Sequence, residues 1–349
     1  MMLSMMLSMA PPSTFALLLI SLSLNAQGPG LQIVMDTAQP EAALAILEKG
    51  DDAGDADWQR LFTSEGYVRL KRREESMARS FTDSDFKKFL LTREMRAQTL
   101  PLRAILDDWK QASLQQAAAL AFAYLPPNAT IHATIYPVIK PAANSFVFET
   151  GSNPTIFLYL DPHRSQAKFI NTVAHELHHI GFATSCPPPA LESKWSALPI
   201  PIRDLHRWIG AYGEGFAMLA AAGGVTADPQ PADRNEWKEE MDHFNEELSS
   251  QNQFFVQILE AKITDSVGIN DKMATYFGNQ GLWYAVGWRM AVTIEEVFGR
   301  DRLIQAMCSH DSLFATYNQA AKNHNRNAAS KLALWSEKLV SGISMAQSP

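Results

Sequence analysis

The segment Ala174-His175-Glu176-Leu177-His178-His179-Ile180-Gly181 restricts this 349-residue chain more than any other stretch. Its H-E-x-x-H spacing sets two imidazoles four residues apart, about 400° of helical rotation, so on a helix both project from one face a turn apart and can reach one metal ion. Glu176 is placed beside them to take a proton from water rather than to bind the metal. The competing reading is a pair of histidines on a solvated helix face. His178 falls on a neighbouring face and is read as a supporting or surface residue with no ligand role.

A catalytic zinc site needs a third protein ligand and one open position. An extended motif with Gly three and His or Asp six residues beyond His179 is excluded, because Phe182 and Ser185 stand there and Gly181 is out of register. The downstream candidates are Glu192, Asp204, His206 and Glu214. Asp204 and His206, flanked by Arg203 and Arg207, read as an exposed charged turn. Glu214 is the single acid in the apolar run Trp208 to Ala222, where an unpaired carboxylate would cost several kcal/mol, so it needs a cationic partner. Zinc is such a partner, and an arginine such as Arg207 or Arg289 is the alternative. Gly213, Gly215 and Ala217 would let this segment approach the histidine helix closely. Tyr284 and Tyr212, each in a Gly-containing apolar segment, are candidate donors to a developing oxyanion, against the alternative of core aromatics.

Around this motif the periodicity changes twice. From Asp36 to Tyr124 it is helical: Thr37 and Pro40 open a helix that Gly50 closes, and Asp83 and Ser84 precede Phe86, Phe89 and Leu90. Pro126 and Pro127 end that block. Ile131, Ala133 and Ile135 then alternate with His132, Thr134 and Tyr136, and Phe146 to Thr150 and Thr155 to Leu160 flank a Gly-Ser-Asn-Pro turn, which reads as a hairpin. Either could offer an edge to an extended peptide. Asp161 and Pro162 turn the chain into the histidine helix, and after Pro201 the pattern is helical again. The expected class is α+β, predominantly helical. Its regions are a signal peptide at 1–26, an N-terminal helical region at 27–127, a core with the metal site at 128–225 and a C-terminal helical region at 226–349, the last three forming one unit.

Composition narrows the setting. Thirty Lys and Arg against thirty-seven Asp and Glu give a net charge of -7, with no basic block beyond Lys71 to Arg73, so nucleic acid is not an expected partner. Residues 1–26 carry no charge, and Phe15 to Leu24 is an apolar run of leader length ending near Ala26, which predicts an exported chain, periplasmic or secreted, without stable membrane insertion after cleavage. A misplaced start or a short apolar core segment is the alternative. The two cysteines, Cys186 and Cys308, fit either one disulfide or two buried thiols.

The H-E-x-x-H helix followed by Gly213-Glu214-Gly215 resembles the gluzincin metallopeptidases. The wider set of Trp58-Gln-Arg-Leu-Phe62, Gly66-Tyr67, Arg73-Glu74, His175 to His179, Gly213 to Gly215, Tyr284-Ala-Val-Gly287-Trp288 and Ile294-Glu295 resembles an uncharacterised bacterial family, a domain of unknown function described as zinc-dependent peptidases. Glu214 lies farther from His179 than the corresponding Glu does in the best-known gluzincins. The resemblance implies a gluzincin-like core with a small sheet, one zinc ion held by His175, His179 and Glu214, and hydrolysis of a peptide or protein substrate with Glu176 as general base. A zincin-fold binding protein without turnover, or a zinc hydrolase acting on an ester or small amide, is the alternative outcome.

Overall fold

The computed structural model describes residues 25–28, 30–149, 151–186, 198–227, 234–278 and 281–345. Residues 1–24 of the expected 1–26 leader and the ligand candidate Glu192 lie outside them, and the last two leader residues fall in the first strand.

The chain enters through two strands, β1 (Asn25–Gly28) and β2 (Leu31–Met35), joined at Gly30, which holds φ at 73°. The N-terminal region is therefore not wholly helical. Leu31, Ile33 and Met35 are buried while Gln32 is exposed, the alternation of a half-buried strand. Seven helices follow: α1 (Ala38–Lys49), α2 (Asp55–Phe62), α3 (Glu65–Ser76), α4 (Asp83–Leu90), α5 (Arg93–Ala97), α6 (Thr99–Lys110) and α7 (Leu114–Phe122). α1 begins after Thr37 and stops at Gly50, whose φ of 58° suits a residue without a Cβ. α4 carries a reciprocal cap, in which Thr82 Oγ1 accepts from Asp85 N and the Asp85 carboxylate accepts from Thr82 N.

The helical block is a crossover, because it returns the chain to β3 (Ile131–Val138), parallel to β2. β4 (Phe146–Phe148) and β5 (Thr155–Tyr159) form the expected hairpin, with Phe146 opposite Phe157 and Phe148 opposite Thr155. β5 inserts parallel to β3, giving the order β1-β2-β3-β5-β4 with β4 on the edge. The alternation read in β3 ends at Tyr136, which is buried against Leu70 of α3 and Phe157.

Beyond the sheet come α8 (Gln166–Ser185), α9 (Ile200–Ile209), α10 (Gly213–Ala222), α11 (Arg234–Leu259), α12 (Ser266–Thr275), α13 (Leu282–Phe298), α14 (Arg300–Met307), α15 (His310–Asn327) and α16 (Glu337–Met345). Among the described residues no helix is long and apolar enough to cross a membrane.

Two large apolar clusters result. The first joins the sheet to α1, α6, α7 and α8 through Ile33, Leu44, Trp109, Ile131, Ile156, Phe169 and Leu177. The second fills the C-terminal helices with Tyr212, Phe255, Trp283, Val286, Phe314 and Trp335. α10 belongs to both, with Ala221 in the first and Phe216 and Leu219 in the second. A disulfide between Cys186, the residue after α8, and Cys308, the residue after α14, ties the same two halves together with Cα atoms 5.0 Å apart.

Candidate metal centre

α8 starts where Ser165 Oγ accepts from Lys168 N, and Phe169, Val173, Ala174, Leu177 and Ile180 line its buried face. Gly181 lets that face press against the end of α7 and β3, since a Cβ there would lie 2.3 Å from Leu125 Cδ1 and 3.2 Å from Ile131. His175 and His179 are consequently carried on the flank of α8 rather than into the core.

Opposite them stands Glu214, in the first turn of α10. Its Oε2 lies 3.1 Å from His175 Nε2 and 3.2 Å from His179 Nε2, and the two imidazole nitrogens are 3.0 Å apart. These are the only three residues of the described part whose ligand atoms gather in this way, all within 4.8 Å. Glu214 is paired with the histidines and not with an arginine; Arg207 is engaged with Asp204.

The donor set fits zinc. A tetrahedral ion with bonds of about 2.0–2.1 Å separates its ligand atoms by roughly 3.3 Å, close to the observed near-equilateral triangle of 3.0, 3.1 and 3.2 Å. Three lone-pair donors at this spacing repel one another unless a proton or a cation lies between them. The electrostatics express the same demand. Burial opposes charge on both Glu214 and His179, yet their attraction holds the Glu214 carboxyl far below its usual range and carries His179 up to about 9. Burial raises Glu176 above the ordinary carboxylate value, opposed by His175 and His179 and reinforced by Glu214.

Tyr284 of α13 reaches the same place. Its ring lies nearly parallel to that of His175, with centroids 6.4 Å apart at 21°. Burial, then the charges of Glu214 and Glu176 and a hydrogen bond towards Glu214, keep its phenol protonated far into the alkaline range, so it stands as a donor beside the Glu214 carboxylate. A cleft of about 150 Å³ opens beside it, walled by Lys168, Asn171, Thr172 and His175 of α8, Met218 and Ala221 of α10, and Tyr284. A larger cavity of about 310 Å³, between α5–α6 and the ends of β3 and β5, includes Lys140 in its wall but none of the three converging ligand residues.

Several expectations change. Asp204 and His206 are not an exposed turn: both are buried, and Asp204 accepts from Ser266 Oγ and Asn270 Nδ2 to join α9 to α12. The helix is amphipathic, with Asp204, Leu205, His206 and Ile209 buried, while exposed Arg207 reaches back one turn to pair with Asp204. His178 is also buried, with Nε2 3.3 Å from the Tyr124 carbonyl; burial, then His179 and His175, push it down to about 3, so it is a neutral core residue. Tyr212 is enclosed in the second apolar cluster and donates to Gln251 Oε1 at 2.8 Å, a core role. Of the two glycines around Glu214, only Gly215 permits a close approach, and to a different neighbour. A Cβ on Gly213 would touch nothing within 4 Å, whereas one on Gly215 would lie 2.0 Å from Trp288 N, so the close approach is to α13 and not to α8. The cleft residues Asn171, Thr172 and Met218 were not singled out from sequence, although Thr172 and Asn171 precede His175 by one helical turn and share its side of α8.

The fold and this site define a mostly helical α+β protein with a two-histidine, one-glutamate centre suited to zinc. A family profile described as putative zinc dependent peptidase (DUF5700) matches residues 58–326, from Trp58 in α2 through α15, and the chain belongs to that family. Comparisons with curated proteins and with solved structures returned no match.

Proposed function

We propose that the chain is an exported zinc metallopeptidase in which His175, His179 and Glu214 hold one zinc ion, Glu176 is the general base and Tyr284 stabilises the oxyanion. The observation that carries this reading is the triangle of donor atoms formed by α8 and α10. When bound, zinc supplies Lewis acidity towards water and the scissile carbonyl. Glu176 accepts the proton of the attacking water and returns it to the leaving amine, a cycle favoured by the burial that raises its pKa. The Tyr284 hydroxyl donates to the carbonyl oxygen as negative charge develops there. The sheet ending in an antiparallel edge strand, followed by the histidine helix and a later glutamate helix, supports a gluzincin-like core. The apolar Phe15 to Leu24 run and the Cys186–Cys308 bridge support export to an oxidising compartment.

The test is bound zinc per chain together with peptide hydrolysis. About one zinc is expected in the wild type and in Glu176→Gln, with turnover lost in the latter, and little zinc in Glu214→Ala. Full turnover by Glu176→Gln, or equal zinc in wild type and Glu214→Ala, refutes the assignment.

A further inference from the structure

The Cys186–Cys308 bridge joins the ends of two helices with no loop between them. Cys186 closes α8, its N–H donating to the Phe182 carbonyl at 2.8 Å, and Cys308 closes α14, its N–H donating to the Ile304 carbonyl at 3.1 Å. From Cys308 a continuous run of packed elements leads back to the metal centre. Gly299 alone separates α14 from α13, and Arg300 Nε donates to Glu295 Oε1 at 3.0 Å across that corner. Leu303, Ala306 and Met307 of α14 share the second apolar cluster with Val286 and Met290 of α13. α13 in turn meets α10 with no side chain between them, since a Cβ on Gly215, the residue after Glu214, would lie 2.3 Å from the Gly287 carbonyl carbon. On the other side of the bridge, Cys186 comes seven residues after His179, about 10 Å along the same helix. α8, the bridge, α14, α13 and α10 therefore form a ring, and its two ends face each other where Glu214 Oε2 stands 3.1 and 3.2 Å from His175 and His179. An ion between them completes it.

Resting on the zinc peptidase reading above, we propose that the bridge and the metal centre are coupled, so that the chain holds zinc tightly only when Cys186 and Cys308 are oxidised and becomes competent for hydrolysis at that step. The physical reason is preorganisation. With the bridge closed, the ring holds Glu214 opposite the histidines before the ion arrives; with it open, that ordering becomes a cost of binding. α8 keeps its place in the first apolar cluster through Phe169, Val173 and Leu177 in either state, so opening the bridge loosens the ring without removing the fold. Opening is a two-electron step. A dithiol gives two electrons and two protons to the bridge, leaving Cys186 and Cys308 as thiols and itself becoming a cyclic disulfide. Linkage makes the coupling reciprocal, so the bound ion makes the bridge harder to reduce by the same factor.

The experiment compares the oxidised full chain with the Cys186→Ser, Cys308→Ser double variant, both stripped of metal and checked for folding by circular dichroism. Zinc affinity is measured by competition with a chromophoric chelator, and the expected Kd is at least about tenfold weaker in the double variant. A second arm needs no cysteine variant and decides alone if the double variant does not fold. Oxidised wild type is equilibrated with graded ratios of dithiothreitol to its cyclic disulfide, with free zinc held by a metal buffer, and thiols are counted by alkylation and mass spectrometry. Zinc is expected to raise the ratio needed for half-reduction at least about tenfold. In Glu214→Ala, where the ring lacks its last link, zinc should shift that ratio by less than about twofold. Equal zinc affinity in the folded wild type and double variant overturns the proposal, as does a half-reduction ratio indifferent to zinc or equally shifted in Glu214→Ala. Peptide hydrolysis by the oxidised, zinc-loaded chain separates the two readings. Coupling without turnover of any peptide refutes the peptidase reading and leaves the coupling standing, whereas turnover with equal zinc affinities refutes the coupling alone.

Discussion

Gly215 and Gly287 meet backbone to backbone where α10 crosses α13: a Cβ on Gly287 would lie 3.3 Å from Gly215 Cα, and one on Gly215 would lie 2.3 Å from the Gly287 carbonyl carbon. Glu214 is the residue before the first glycine, and Tyr284 is one turn before the second. The crossing thus sets how far Glu214 stands from the Tyr284 phenol that faces the same histidine. Gly215→Ala should cost about 3 kcal/mol or more, because the obstructing atoms are backbone and cannot rotate away. Gly213→Ala, where the space is open, should be neutral or stabilising by roughly 0.5 kcal/mol. Urea denaturation of the two variants checks the contrast, and equal stabilities would contradict the packing described.

Tyr284→Phe removes only the hydroxyl and keeps the ring against His175. A fall in kcat of about 100-fold is expected, with zinc content and KM little changed, if the hydroxyl acts on the developing oxyanion alone. Steady-state kinetics with metal analysis on the same preparation separates this from a change in the metal site; unchanged kcat would remove Tyr284 from the mechanism.

The Cys186–Cys308 bridge spans 122 residues, a loop whose closure is worth about 5 kcal/mol in the chain-entropy account. It also anchors the C-terminal end of the helix bearing both histidines. Cys186→Ser combined with Cys308→Ser should therefore lower the thermal midpoint substantially under oxidising conditions, while the wild type under reductant should approach the double variant. Calorimetry with and without reductant provides the comparison, and a midpoint indifferent to both changes would show that the bridge does not hold the two halves.

Glu247 on α11, which is not one of the three clustered residues, offers a pH test. Burial, then the nearby Glu240 carboxylate, raises it from 4.5 to about 7. Because the folded value exceeds the unfolded one, the folded chain binds the extra proton, and the associated stability is full below about pH 4.5 and lost as pH rises through about 7. Glu247→Gln should be about 1 kcal/mol more stable than the wild type at pH 8 and indistinguishable from it near pH 4.5. Denaturation curves at both values give the sign, and a larger gain at the acid end would contradict it.

Legibility followed the range of the interaction. α1, α4 and the β4–β5 hairpin were readable because caps, turn residues and periodicity act over a few neighbours: Thr37 and Gly50, Thr82 and Asp85, and the Gly151 to Pro154 turn signals. β2 was missed although its alternation is present, since a five-residue strand next to an apolar leader carries little independent signal and its partner β3 lies about a hundred residues away. Asp204 and His206 were misjudged for the same reason. Adjacent arginines suggested exposure, and the groups that bury Asp204, Ser266 and Asn270, are distant in the chain.

The sequence by itself determined the pairing of His175 with His179, because four residues on a helix fix their relation without help from the rest of the chain. It also marked Glu214 as an acid that needed a cation, from the apolar run around it. Only the tertiary structure decided that the cluster able to hold a cation is shared between α8 and α10, that Tyr284 rather than Tyr212 faces it, and that Gly215 packs against α13. Those relations depend on which surfaces of separately stable helices bury one another, a choice set by packing of two apolar clusters across the whole chain rather than by any local spacing.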